Sequence, residues 1–166
     1  MLKDSGNRRK FDSGAVRDIA DGKGRADLLP LTAVGTVMGD DILTLIGKYI
    51  EDGYPMLLVD TLKRFGEKQN QDLPTMMLEV SKHYEDGAKK YSDRNWERGI
   101  PLHCFIDSGV RHYLKWLRGD NDEPHDRAFV WNILGALWTA SHYHDMIDLP
   151  FIEKEKSNVQ DNAETD

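Results

Sequence analysis

Residues 72–91 read DLPTMMLEVSKHYEDGAKKY, and this stretch decides the fold class. Asp72 has the side chain to cap a helix, and Pro74 suits a first turn, where its missing N–H is no loss. Behind them Met76, Val80, His83, Tyr84, Gly87 and Tyr91 recur at helical spacing and so share one face. His83 sits on that apolar face between Val80 and Gly87, where a merely solvated residue would not stand. Glu79, His83, Asp86 and Lys90 form a polar file along its edge.

The same period continues downstream. Residues 92–101 read as a loop centred on Arg94-Asn95-Trp96, followed by a helix from about Leu102 to Leu117 with Ile106, Val110, Tyr113, Leu114 and Leu117 inward. Gly119 stops it. A last long helix spans about Glu123 to Met146, capped by Asp120 or Asp122. Phe129, Ile133, Ala136, Leu137 and Ala140 make its apolar face, and Trp131, Leu134 and Trp138 cover much of the other side. His125 and Asn132 lie two turns apart on one side of it, bordering Phe129 and Ile133. A buried asparagine must find hydrogen-bond partners.

Upstream, Pro55 opens a helix that ends near Arg64 or Phe65, with a polar connection from Gly66 to Gln71. The stretch from Ala33 to Glu51 is helical in period, and Gly39-Asp40 is placed to break it in two. No run shows a convincing strand ladder. The expected fold is all-α: a compact helical bundle over 28–152, an extended N-terminal arm over 1–27 that carries the loop Gly22-Lys23-Gly24-Arg25, and a disordered acidic tail over 153–166.

Composition narrows the function classes. The 166 residues are 39% hydrophobic and 31% charged with a net charge of −7. An acidic body argues against non-specific binding to duplex nucleic acid or anionic membrane, although a small basic pocket is compatible with it. Cys104 is the single cysteine, which leaves no intramolecular disulfide and no cysteine-based zinc site. Met1 to Asp12 lacks the apolar core of a secretory signal, and no apolar run approaches a membrane span. The expected location is the cytoplasm, that of a host if the chain is phage-encoded.

Between Lys89 and Asn132 the chain gathers cations, aromatics, acids and imidazoles. A nucleotide polyphosphate is the ligand class that uses all of them. Each group also has a plainer reading. Lys89, Lys90 and Arg94 suit a helix C-terminus, and Asp120, Asp122 and Glu123 a helix N-terminus, through the macrodipole alone. Asp107 and Arg111 suit an i,i+4 surface pair. Tryptophans are more often core than stacking platforms, but Trp96 stands in a polar loop.

Four blocks kept in order carry a resemblance: 21–30 (DGKGRADLLP); 83–91 (HYEDGAKKY) with 94–99 (RNWERG); 111–115 (RHYLK); and Glu123-Pro124-His125 through Trp131-Asn132. Together they resemble the phage family labelled dATP/dGTP diphosphohydrolase N-terminal domain, which is similar to the MazG-like all-α nucleotide pyrophosphatases. The resemblance spans about Gly14 to Trp138, with 33–73 looking like an insertion. It implies a metal-dependent cleavage of purine (deoxy)nucleoside triphosphates to a monophosphate and pyrophosphate, with Mg²⁺ or Mn²⁺ as cofactor, in a homo-oligomer.

On that footing Lys23, Arg25, Lys90, Arg94 and Arg111 are expected on phosphate. Trp96 or Tyr91 is expected to stack on the base, and Asn95 or Asn132 to bond base or sugar. Glu79, Glu85, Glu123 and Asp126 are the candidate metal ligands, and Glu123, His125 and His112 the catalytic candidates. The Glu-Glu-x-x-Glu helix of MazG-like enzymes is not intact here, and only Glu123-Pro124-His125-Asp126 keeps their second spacing. Two further readings stay open: a protein that sequesters a host signalling nucleotide without turnover, and a helical interaction module. Pyrophosphate release from a nucleotide panel separates them.

Overall fold

The computed structural model describes residues 6–163, and the side chains of 6–160. Residues 1–5 of the expected arm and 164–166 of the expected tail lie outside these. Within the arm, the described residues form an antiparallel hairpin, β1 (Arg8–Lys10) with β2 (Val16–Asp18), in which Arg9 faces Arg17. Two three-residue strands are too short to show a period, so the sequence reading missed them. The hairpin holds because Asn95, 79 residues away in sequence, bonds both backbone groups of Val16.

The helices follow as α1 (Leu31–Met38), α2 (Asp41–Asp52), α3 (Pro55–Lys68), α4 (Leu73–Lys90), α5 (Leu102–Arg118), α6 (His125–His142) and α7 (Pro150–Ala163). The fold is all-α, as expected. The break between α1 and α2 falls at Gly39, which ends α1 with φ +62°, and Asp40, whose carboxylate accepts from Leu43 N at 2.9 Å. Asp40 also accepts from Lys68 Nζ at 2.8 Å and Tyr113 Oη at 2.6 Å, tying α2 to α3 and α5. Asp72 caps α4 as read, accepting from Thr75 N at 2.9 Å.

Helices α5 and α6 form the most extensively packed pair. Glycine makes the approach possible: a Cβ on Gly135 would stand 2.3 Å from the Phe105 ring. Phe65 of α3 closes the core edge-on against Phe129 at 4.7 Å and Trp116 at 5.0 Å. Trp131 and Trp138, the surplus apolar side of α6, pack within the chain against His83 and Trp96 respectively.

Two boundaries differ from expectation. Helix α6 begins at His125 with no side-chain cap, because Asp122 is bonded to the His125 ring and Asp120 to Arg118. Residues 153–160 continue α7 with exposed side chains, anchored by Phe151, which packs on Tyr49 at 5.7 Å. No helix among the described residues is long and apolar enough to cross a membrane.

Candidate functional site

A cavity of about 1270 Å³ opens between the hairpin, the 19–25 loop, α4, the 92–96 loop, α5 and the residues just before α6. Its walls bring together sequence-distant groups: Arg94, Asn95 and Trp96, then His112, Asp122 and Glu123, and also Lys23 and Arg25. Lys90, Tyr91, Arg111 and Asn132 line it too, and His125 lies buried behind His112.

The floor holds polar atoms that burial has left unsatisfied. Arg17, on β2, lies over the rings of Phe105 and Trp131 at 5.2 and 5.4 Å, and its Nη2 donates to Asn132 Oδ1 at 3.0 Å. Its Nη1 is buried with no partner, and burial lowers its pKa from the ordinary arginine value. Arg111 is paired through Nη2 with Asp107, while its Nε is buried and unpartnered. His83 Nδ1 is likewise orphaned, and burial pushes this imidazole down to about 4, so it is neutral at pH 7. Native interiors seldom leave such groups unpaired. Three residues with such atoms line one hollow.

The acid-and-imidazole end is compact. His112 Nδ1 and His125 Nδ1 are 2.9 Å apart, and Glu123 Oε1 stands 3.9 Å from each. Asp122 Oδ1 lies 2.7 Å from His125 Nε2. Burial, and then the neighbouring His125, push His112 down to about 3. These side chains offer a set of nitrogen and oxygen atoms close enough to hold one ion.

The rim is different, because its cations already have partners. Arg25 grips Asp27 with both arms of its fork, at 2.7 and 2.6 Å. Lys23 lies 3.6 Å from Asp18, and Arg94, at φ +56°, is paired with Glu97. Arg8 and Lys90 each sit 5.3 Å from the ring of Tyr91.

Several expected roles move on this geometry. Both ends of the Asn95 amide are committed to Val16, at 2.9 and 2.8 Å, so Asn95 builds the wall rather than reading a base. Asn132 donates to Ala128 O at 2.8 Å and accepts from Arg17, so it positions the arginine. Trp96 packs edge-on to Trp138 at 4.9 Å and to Tyr84 at 5.8 Å, which leaves it half-buried at the wall.

The expected metal set does not assemble. Glu79 is bonded to Arg127 and Lys82, both at 2.7 Å, and with Asp126 borders a separate dimple between α4 and α6. Glu85 is exposed and paired with Lys89 at 2.6 Å. Helix geometry explains the misses: Asp126 is about 100° round α6 from His125, and Glu85 about 200° round α4 from His83. Arg17 is the residue that sequence reasoning missed, its only signal being a cation between Val16 and Ile19 in an arm with no period.

A family model described as dATP/dGTP diphosphohydrolase, N-terminal, matches residues 54–148, more than half of the chain. The chain belongs to this family. No curated protein and no solved structure matches it. The dATP/dGTP diphosphohydrolase match begins at Tyr54, so α3 falls inside it although the sequence reading placed 54–73 in an insertion. His83, Lys90, Arg111, His112, Glu123, His125 and Asn132 come from the matched segment. Arg17, Lys23 and Arg25 reach the same cavity from outside it.

Proposed function

We propose that the cavity binds a purine (deoxy)nucleoside triphosphate and hydrolyses it to a monophosphate and pyrophosphate. One observation carries the reading: buried guanidinium donors without partners share a hollow with a carboxylate–imidazole cluster. A polyphosphate presents the oxygens that Arg17 Nη1 and Arg111 Nε lack, and hydrogen bonds between charged partners are the strong ones. The volume is ample for a nucleotide. Tyr91 and Trp96 at the wall give the base an aromatic surface.

In the reaction, a water oxygen forms a bond to the α-phosphorus as the bond to the bridging oxygen breaks, and pyrophosphate leaves. Arginine donors on the phosphates stabilise charge that builds on them. Glu123 and the neutral His112, which line the cavity, would hold the attacking water and take up the proton it loses. The family resemblance implies Mg²⁺, but the side chains gathered here do not make the all-oxygen set Mg²⁺ prefers: two of the three that converge most closely are imidazoles.

A second reading, nucleotide binding without turnover, is favoured by the position of Glu79, Glu85 and Asp126 outside the cavity. Incubation with a panel of dNTPs and NTPs and a divalent ion, with pyrophosphate measured, separates the two. Release that is lost in Glu123→Gln supports the hydrolase. Tight binding with no product supports sequestration, and absence of both overturns the nucleotide reading.

A further inference from the structure

The geometry points to a binding site for a first-row transition ion, such as Co²⁺ or Zn²⁺, formed by His112, Glu123 and His125 with Asp122 as the orienting partner. This deepens the hydrolase reading, on which it rests for the ion's purpose but not for its binding.

The three ligand atoms form a triangle with sides of 2.9, 3.9 and 3.9 Å. Ligands about 2.1 Å from one ion stand roughly 3.0 Å apart on an octahedral edge and about 3.4 Å apart in a tetrahedron. Modest side-chain adjustment closes this triangle onto a metal. The tautomer of His125 is set from behind. Asp122 Oδ1, 2.7 Å away, can only accept, so Nε2 carries the hydrogen and the neutral ring turns a bare Nδ1 lone pair toward His112 and Glu123. A carboxylate that orients a ligating histidine in this way also raises its basicity.

The location suits a working ion. His125 is buried, whereas His112 and Glu123 line the cavity, so the ion would be closed on the protein side and open toward a ligand. A competing trio, Asp120, Asp122 and His125 Nε2, is less suited: Asp120 is gripped by Arg118 and does not line the cavity. Two imidazoles with one carboxylate select ions of the Fe²⁺ to Zn²⁺ range over Mg²⁺.

The test is titration of the chelator-treated full chain with Co²⁺ alone, followed by visible absorption and calorimetry. The expected result is one equivalent bound, with an imidazole-ligated Co²⁺ spectrum that millimolar Mg²⁺ does not displace. His112→Asn, a polar replacement of similar shape at a partly buried position, should weaken Co²⁺ at least about 10-fold with the far-UV circular dichroism unchanged. Asp122→Asn should weaken it about 10- to 100-fold, the usual range for an orienting partner. No saturable Co²⁺ binding, equal affinity in His112→Asn, or displacement by Mg²⁺ at matched concentration overturns the site. Co²⁺ bound as described with no pyrophosphate released from any nucleotide leaves the site standing and ends the hydrolase reading. Pyrophosphate release with Co²⁺ affinity indifferent to His112→Asn does the reverse.

Discussion

The floor and the rim of the cavity are both basic, yet they are built on opposite principles. On the floor, Arg17 and His83 are packed among rings and Arg111 is paired with Asp107, and each keeps a donor or acceptor atom unsatisfied. On the rim, Arg25 and Arg94 stand in water, each with a carboxylate two or three residues along the chain. A buried unpaired group raises the free energy of the empty protein and is relieved only by a ligand. A solvated ion pair gains little from a newcomer, since binding must first break what is there. Charge count alone does not identify a site. The unmet hydrogen bond does.

The sharpest way to break this contrast is Arg17→Met. The replacement fills similar volume over Phe105 and Trp131 but removes the charge-assisted bonds offered to phosphate. At roughly 1.5–3 kcal/mol for each such bond, nucleotide affinity should fall about 100- to 1000-fold, measured by calorimetry with a chelator present to stop turnover. The empty protein should lose little of its thermal midpoint, because exchanging a buried charge for an apolar group offsets the Asn132 oxygen left without its donor. A variant that melts early yet binds nucleotide normally would make Arg17 a structural residue.

Acidification tests the floor in a second way. His83 falls to about 4 in the folded chain, against 6.5 when unfolded, so the unfolded state takes up the proton first as pH drops. Its neutral burial costs nothing above pH 6.5. Stability is lost as pH falls from 6.5 toward about 4, by up to about 3 kcal/mol, and levels off below. His103, on the wall, runs the other way. Its hydrogen bond to Asp148 raises it to about 10, so its contribution is full below pH 6.5 and fades as pH climbs toward 10. Denaturation midpoints across pH 4–9 should show both slopes. His83→Phe should reduce the acid one by the His83 share, leaving that of His112, which burial lowers as well, and should leave the alkaline one unchanged.

The floor also depends on a support that is not a cation. Asn95 holds the hairpin by both backbone groups of Val16, next to Arg17. Asn95→Ala should leave those groups unpaired and cost about 2 kcal/mol in unfolding free energy. Nucleotide affinity should fall about tenfold as Arg17 loses its fixed position. Loss of stability with full affinity would mean that β2 stays seated by other contacts.

How much of this could be read from the chain alone depends on the kind of signal. The helices α4, α5 and α6 were legible because Met76, Val80, Ile106, Val110, Phe129 and Ile133 recur at the period that packing demands. The inward turn of His83, His125 and Asn132 followed from the same arithmetic, and all three are buried. The meeting of the Arg94–Trp96 loop with the His112–Glu123 end was an inference from crowding that the cavity supports. Of the four expected metal ligands, Glu123 stands beside two imidazoles, whereas Glu79, Glu85 and Asp126 lie outside the cavity. Whether Glu79 or Glu123 reaches an imidazole depends on which helix crosses which, and spacing within one helix cannot say. Arg17 was invisible for a related reason, since its partner Asn132 lies 115 residues away and its strand is too short for a pattern.

The smallest expected effect guards the contrast from the other side. Arg25→Ala and Arg94→Ala each remove a rim cation that the sequence reading placed on phosphate. Their side chains are 49% and 74% exposed, and Asp27 and Glu97 already occupy them. Removing Arg94 frees Glu97, whereas removing Arg25 leaves the buried Asp27 without its ion partner and should cost stability; the loss of nucleotide affinity should be small in both, about threefold or less at physiological ionic strength and fading with added salt. The Arg17→Met deficit should persist in the same salt series, because buried charges are screened far less. If a rim variant instead matched the loss at Arg17, the nucleotide's phosphates would have to sit at the mouth, and the orphaned donors beneath would need another occupant.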